Sequence, residues 1–387
     1  MKILFIGSYP NPVNPYMSIF FRALIYKIAD LGVECHVLSP VSRTKYRDNL
    51  YRIPEFMTEY TERGSIVKVY HPRTWSFSAK KIGNWNTMFF TEKYAEYKAV
   101  REYKKMGIDF DCVYGHFFLG GGLVAAKIAQ RYSIPAFIAY GECNFESEIS
   151  SKYRIHNNYM EGVKGIIAVS SKNKKDLENR SFAKDIPVLL SINAINQDEF
   201  YKKNKAECRK KLGLPEKDFI VGFVGYFIER KGSDRLLEAC RGLPGVSLAF
   251  AGSGKNAPSG SNVVFCKSLP HEDVSDFLNA IDVFVLPTRN EGCSNAIIEA
   301  MACGNAIVSS NLSFNLDILN NSNSILINPN NIEEIRRAVI ELRDNMEKRI
   351  QLSKQVLEDA EKLSLDNRAK NLSLIHISEP TRPEPIS

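Results

Sequence analysis

Two glutamates, Glu291 and Glu299, bracket the segment of this 387-residue chain best suited to chemistry on a hydroxylated, phosphorylated ligand. The stretch reads Pro287-Thr288-Arg289-Asn290-Glu291-Gly292-Cys293-Ser294-Asn295-Ala296-Ile297-Ile298-Glu299-Ala300-Met301-Ala302-Cys303-Gly304. Glu291 follows an apolar, strand-like run and precedes Gly292, so it belongs to a loop where backbone can approach a ligand closely. Ser294-Asn295 suits a helix N-terminus, whose N–H groups can hold phosphate oxygens. The helix that follows is Ala, Ile, Met and Cys on nearly every side and is expected to be buried. Glu299 is then a carboxylate in apolar company that needs hydrogen-bonding partners. The vicinal hydroxyls of a ribose would supply two donors; a neighbouring backbone group or a lysine would also serve.

A second segment, Gly225-Tyr226-Phe227-Ile228-Glu229-Arg230-Lys231-Gly232, also follows a strand-like run. A lysine at a strand end beside a glycine suits a phosphate as a point charge. In the first half of the chain, His116 ends the run DCVYGH, Glu142 follows PAFIAYG, and Ser18 closes the loop after KILFIG. Each stands where a ligand could be touched, and each also has a plain structural reading.

These residues need a scaffold, and the apolar rhythm supplies one. Strands are expected at 2–7, 34–39, 65–70, 111–115, 135–140 and 165–170, with helices between them at, for example, 18–31 and 119–132. After residue 195 a polar stretch intervenes. A second series then places strands at 219–225, 246–252, 262–266, 282–287, 305–310 and 324–328, with helices near 231–242, 270–281, 294–303 and 331–346. Strand–helix alternation of this kind implies parallel sheets covered by helices. The expectation is an α/β chain of two Rossmann-like domains, 1–195 and 196–371, with a hinge near 192–202. Their strand ends would face each other across a cleft.

The pattern E-G-x-x-N-x-x-x-E-A-M-A-x-G resembles the E-x7-E motif of the retaining, family-4 GT-B glycosyltransferases, and the family's strands and motifs can be followed from residue 1 to about 370. The resemblance implies that Glu291 contacts donor-sugar hydroxyls, that Glu299 holds the ribose, and that the backbone of Gly292, Cys293, Ser294, Asn295 and Ala296 faces sugar and diphosphate. It also implies that the segment from Gly225 neutralises the leaving diphosphate through Lys231. Tyr226 stands where the family usually has Arg, which leaves Arg230 as the nearest remaining cation. Ser18 sits near an expected glycine, His116 matches a common cleft histidine, and Tyr140-Gly141-Glu142 replaces His-Gly-x-Asp, making Glu142 a candidate acceptor-side base. The family transfers a sugar from a nucleotide-diphosphate donor, such as a UDP- or GDP-sugar, usually without a metal or other cofactor. A glycan or lipid-linked acceptor in surface polysaccharide or glycoconjugate synthesis is expected. An epimerase or phosphorylase on the same fold, or a sugar-binding subunit without turnover, stays open at this point. A dinucleotide oxidoreductase is disfavoured, because no G-x-G-x-x-G follows the first strand.

Composition agrees with a globular protein. Residues 1–200 hold 27 Lys and Arg against 20 Asp and Glu, so the first half carries the whole net charge of +7. Its densest stretch, 68–105, interleaves Arg73, Lys80, Lys81, Lys93, Lys98, Arg101, Lys104 and Lys105 with Trp75, Phe77, Trp85, Phe89 and Phe90. Such a surface suits peripheral contact with anionic lipid at the inner face of the cell membrane, or is a solvated helix face over core aromatics. No nucleic-acid motif accompanies it. The eight cysteines form no C-x-x-C pair and are expected as reduced thiols in a cytoplasmic protein. Residues 372–387 read as the in-frame translation of a transposase sequencing adapter. They are expected to make few packed contacts and to be dispensable for stability.

Overall fold

The runs KILFI and ECHVL form β1 (Lys2–Ile6) and β2 (Glu34–Leu38). Their inner residues are fully buried, as expected of strands covered on both faces. The computed structural model describes residues 1–76, 81–82, 85–86, 88–143 and 160–377. The chain divides into two units, one of Met1–Val169, Asn173–Ser191 and Leu365–Ser387, the other of Ser170–Lys172 and Ile192–Ser364.

The first unit continues with β3 (Phe56–Tyr60), β4 (Ile66–Tyr70), β5 (Cys112–His116), β6 (Ala136–Tyr140), β7 (Val163–Ala168) and β8 (Val188–Leu190). They form one sheet in the order β8-β7-β6-β5-β1-β2-β4-β3. All neighbours are parallel except the edge pair β3–β4, which is antiparallel. Helices α1 (Ile19–Asp30), α2 (Met88–Met106) and α3 (Leu123–Tyr132) belong to this unit, and α4 (Ser171–Glu178) follows β7. Apolar residues of α3, among them Leu123, Val124 and Ile128, pack with Leu4, Val113 and Ile138 of the strands. Of the basic and aromatic stretch, Phe77 and Lys80 and the side chains of Lys81, Trp85 and Phe89 lie outside the described residues.

The second unit opens with α5 (Lys205–Leu212), capped by Asn204, whose side chain accepts from the N–H groups of Ala206 and Glu207. Strands β9 (Phe219–Val224), β10 (Val246–Ala251), β11 (Val263–Lys267), β12 (Val283–Leu286), β13 (Ala306–Ser310) and β14 (Ser324–Ile327) alternate with α6 (Ser233–Ala239), α7 (His271–Ala280), α8 (Asn295–Ala302) and α9 (Ile332–Asp344). Then follows α10 (Met346–Glu361). The sheet order is β11-β10-β9-β12-β13-β14, all parallel. In α9, Ile335, Ala338, Val339 and Leu342 recur at helical spacing and are buried, and Asn331 caps the first turn.

The expectation for the tail needs correction at its start. Helix α11 (Leu365–Ile377) runs through residue 372 and packs against α1. Leu365, Ala369 and Leu372 repeat at i, i+4 and i+7 and are all buried, and Ser373 is buried beside them. Leu372 therefore supplies the apolar residue that the helix needs at that position, whatever the origin of the codons. Asp366 adds an ion pair to Lys27 of α1 at 3.2 Å. The rest of that expectation, from the side chain of residue 374 onward, lies outside the described residues.

Candidate active site

In the second unit the chain runs outward from β9 through β10 to β11 and then returns to β12 on the other side of β9. The loops after β9 and β12 diverge from this switch point, where open parallel sheets bind ligands. The first loop carries Arg230 and Lys231, and the second carries Glu291. Lys231 Nζ lies 2.6 Å from Glu291 Oε1, and Arg230 Nη1 lies 2.9 Å from the same oxygen. Thr288 Oγ1 donates to it as well, at 2.9 Å. Glu291 and Lys231 are largely buried, whereas Arg230 is about one-third exposed. Two cations on one carboxylate leave one positive charge in excess, which suits an anionic ligand. Backbone and side-chain bonds lace the loops together: Arg289 N–H donates to Arg230 O at 2.9 Å, and Arg230 Nη1 donates to Asn290 O.

Beside this cluster a cavity of about 350 Å³ is lined by Gly225, Tyr226, Gly252, Ser253, His271 and Glu299, among others. A Cβ at Gly252 would stand 1.9 Å from Gly225 O, so the two strand ends can approach only because position 252 is glycine. Glu299 is half-buried, and no hydrogen bond or ion pair engages its carboxylate among the described residues. Burial pushes its pKa up to about 7; the charge of Glu199 adds to this, while His271 and Lys231 oppose it. His271 lies 3.2 Å from Glu199. Burial alone would lower the histidine pKa, but the Glu199 hydrogen bond and the charges of Glu299, Glu199 and Glu272 outweigh it, and the pKa is raised.

Helix α8 starts at Asn295, behind Ser294. The Ser294 side chain does not cap it, and its Oγ is buried without a hydrogen-bond partner among the described residues. The first N–H groups of a helix have no intrahelical partners, so this end presents donors. Asn193 holds the approach to it, donating to Cys293 O at 3.3 Å and Asn295 Oδ1 at 2.9 Å. Gly292 and Ala296 complete the loop and the first turn.

The first unit has its own switch point, between β1 and β5. Ser18 precedes α1 with φ 51°, a left-handed conformation that glycine adopts without strain. His116 ends β5 and stacks on Phe21, with ring centroids 4.1 Å apart. Neither ring nitrogen has a hydrogen-bond partner among the described residues. Burial pushes its pKa down to about 3, and Arg368 adds to the depression. The imidazole is therefore neutral near pH 7 and lines an apolar cavity of about 230 Å³ with Ile6, Gly7, Phe117 and Gly121. Glu142 is buried, and its carboxylate oxygens accept from Leu119 N–H at 3.0 Å and Gly141 N–H at 3.1 Å. Those bonds brace the irregular turn after β5, a structural task for the residue carried as a candidate base.

Because His116 protonates only near pH 3 when folded and near 6.5 when unfolded, it withdraws stability as pH falls between those values. Well above pH 6.5 it has no effect. Between pH 6.5 and 5.5 its share of the loss is about 1 kcal/mol. His116→Phe is expected to reduce the acid dependence of urea-unfolding midpoints by that amount; an unchanged dependence would show that the ring is solvated.

The sequence motifs thus locate Glu291, Lys231, Arg230, Tyr226, Gly225 and Glu299 in one region, whereas His116, Ser18 and Glu142 belong to the other unit. Sequence reasoning missed His271, Asn193 and the Gly252-Ser253 turn. The turn was detectable in principle as the end of the strand at 246–252.

The family model described as Glycosyl transferases group 1 matches residues 204–359. Over 360 residues the chain is 23% identical to TuaC of Bacillus subtilis, named as a glycosyltransferase of teichuronic acid biosynthesis, covering 88% of each chain. Sucrose-phosphate synthase from Thermosynechococcus elongatus superposes with a TM-score of 0.79 at 18% identity, over 97% of this chain and 98% of that one. HepE of Anabaena, solved with UDP-glucose, gives 0.70 at 14% identity, over 98% and 100%. Residues 204–359 thus match the group 1 glycosyltransferase model, and the two-domain α/β fold is of the GT-B type.

Proposed function

We propose that the chain transfers a sugar, with retention, from a nucleotide-diphosphate donor to a glycan or lipid-linked acceptor during surface polysaccharide synthesis. The observation that carries this reading is Glu299. Among the described residues it is an unpartnered carboxylate, lining a cavity at the carboxyl ends of β9 and β10, beside a carboxylate that already holds two cations. Ribose hydroxyls would satisfy Glu299, and a diphosphate would meet Lys231, Arg230 and the α8 N-terminus. HepE, which shares the fold, is described with UDP-glucose, and TuaC is named for teichuronic acid biosynthesis. The HepE ligand supports a UDP-sugar as the first donor to try.

In this reading the bond between the anomeric carbon and the diphosphate oxygen breaks as charge grows on the departing phosphate. Lys231, Arg230 and the α8 N–H groups stabilise that charge without a metal ion. The acceptor hydroxyl attacks from the same face, and its proton passes to a phosphate oxygen. Glu291 orients the lysine and the donor-sugar hydroxyls. The acceptor belongs to the basic first unit, at the inner face of the membrane.

The test is a screen of UDP- and GDP-sugars with purified full-length protein, reading nucleotide release with and without acceptor extract. Release that rises with acceptor, with product of unchanged anomeric configuration, is expected. Inversion would reject the retaining assignment, and epimerised donor without transfer would reject the transferase reading.

A further inference from the structure

The first unit holds a basic cavity of about 380 Å³, within the range of small-ligand sites. Arg43, Arg73, Lys98, Arg101 and Lys105 line it against two carboxylates, Glu55 and Glu102. Both carboxylates are engaged, Glu55 by Arg73 at 3.4 Å and Glu102 by Lys105 at 3.2 Å. Arg43 and Lys98 rest over the rings of Trp75 and Tyr94, and no carboxylate neutralises either of them or Arg101 among the described residues. The cations of α2 arise from helical spacing: Lys98, Arg101 and Lys105 follow Tyr94 at i+4, i+7 and i+11. Ala99, Val100 and Tyr103 are buried in the core of the unit.

The floor of the cavity is built, and its polar atoms are unfinished. Arg73 is held in a short parallel pairing with Val41, donates from Nη2 to Ile53 O, and meets Glu55 through Nε. Its Nη1 is buried without a hydrogen-bond partner among the described residues. His71, fully buried at the carboxyl end of β4, bonds through Nδ1 to Ser39 O at 3.0 Å. A carbonyl accepts only, so Nδ1 carries the proton and Nε2 is an acceptor. Nε2 too is buried without a partner. A buried, fixed donor and a buried acceptor in a basic cavity call for a ligand with an anionic oxygen and a hydroxyl.

We propose that this cavity binds the phosphate monoester of a phosphorylated sugar or polyol, with phosphate oxygens on Arg73 Nη1 and the surrounding cations and a hydroxyl donating to His71 Nε2. Its assignment to the acceptor rests on the glycosyltransferase reading above. The phosphate is either that of a soluble sugar or that of a lipid headgroup.

Isothermal titration of the full chain with glucose 6-phosphate, with glucose as the uncharged control, tests the soluble source. Sedimentation with phosphatidylcholine vesicles, with and without phosphatidic acid, tests the lipid source. Binding in either arm is expected to weaken roughly 10- to 100-fold in Arg73→Gln. Because Arg73 is packed, the exposed Arg101→Glu is the second variant and should weaken the same arm with an unchanged unfolding midpoint. No binding in either arm overturns the proposal, as does binding that survives Arg101→Glu but is displaced by UDP. Nucleotide release by the unmodified chain is read in parallel. Release without phosphate binding removes the pocket and leaves the transferase reading standing; binding without release does the reverse.

Discussion

Replacing Lys231 with alanine is expected to lower kcat for sugar transfer by roughly 100- to 1,000-fold while changing donor affinity far less. The argument starts from geometry. Lys231 Nζ is largely buried and fixed 2.6 Å from Glu291 Oε1, so it needs little reorganisation to meet a phosphate. The donor diphosphate is already charged in the ground state, but charge on its bridging oxygen grows as the glycosidic bond breaks. A fixed cation stabilises that growth more than it stabilises the bound donor. Tyr226 is 67% exposed and brings no charge, and Arg230, the neighbouring cation on the loop, already shares Glu291. If kcat holds and only KM rises, the lysine anchors the donor and takes no part in bond cleavage. Lys231→Arg should recover part of the rate, because the charge returns in a different shape.

The fold was legible where apolar residues carry it. Every strand expected from an apolar run is present, displaced by a residue or two at its ends. Strand β3 was missed because FMTEY is an edge strand with no fully buried residue, so no hydrophobic pattern marks it. Helix α5 was missed for a different reason. KAECRKKL shows no apolar stripe, and Arg209 does the work of one. Its guanidinium is buried, donating to Ala280 O, Glu216 O and Asp218 O and pairing with Asp282 at 2.7 Å. A polar residue that packs through hydrogen bonds has no signature in periodicity.

At the site, Glu291, Glu299 and Lys231 were readable because each lies in a contiguous motif. Arg230 was harder: a neighbour along the chain need not share a target, and only the fold of the loop shows both cations on one carboxylate. His271 and Asn193 carry no local signal at all. They reach the site because of loop positions that sheet order and chain return determine. Glu142 shows how one local pattern carries two readings. A carboxylate after a strand end suggests a base, but backbone N–H groups one and 23 residues away along the chain also bond its oxygens.

Nucleotide-sugar affinity is expected to fall as pH drops below about 7, reaching roughly thirtyfold weaker at pH 5.5 than at pH 8. Without ligand, burial holds the Glu299 carboxyl protonated up to about pH 7. Ribose hydroxyls donate best to the ionised form, so binding below that pH must first release a proton. The sign for folding is the reverse of the usual carboxylate. The raised pKa favours the folded state below pH 4.5, and that contribution is lost as pH rises through about 7. Binding and folding therefore respond to pH in opposite directions at this residue, which separates loss of affinity from loss of structure. A sugar nucleotide is the right probe, because its pyrophosphate diester does not titrate in this window. His271, Glu199 and Lys231 face the carboxyl and His271 also titrates, so the decisive comparison is with Glu299→Gln. That variant should bind roughly 10- to 100-fold more weakly at pH 8 and show a flattened pH profile. Calorimetry in buffers of different ionisation enthalpy should detect close to one proton released at pH 6 in the parent and none in the variant. Proton release that persists in Glu299→Gln would move the titration to His271 and take the ribose away from Glu299.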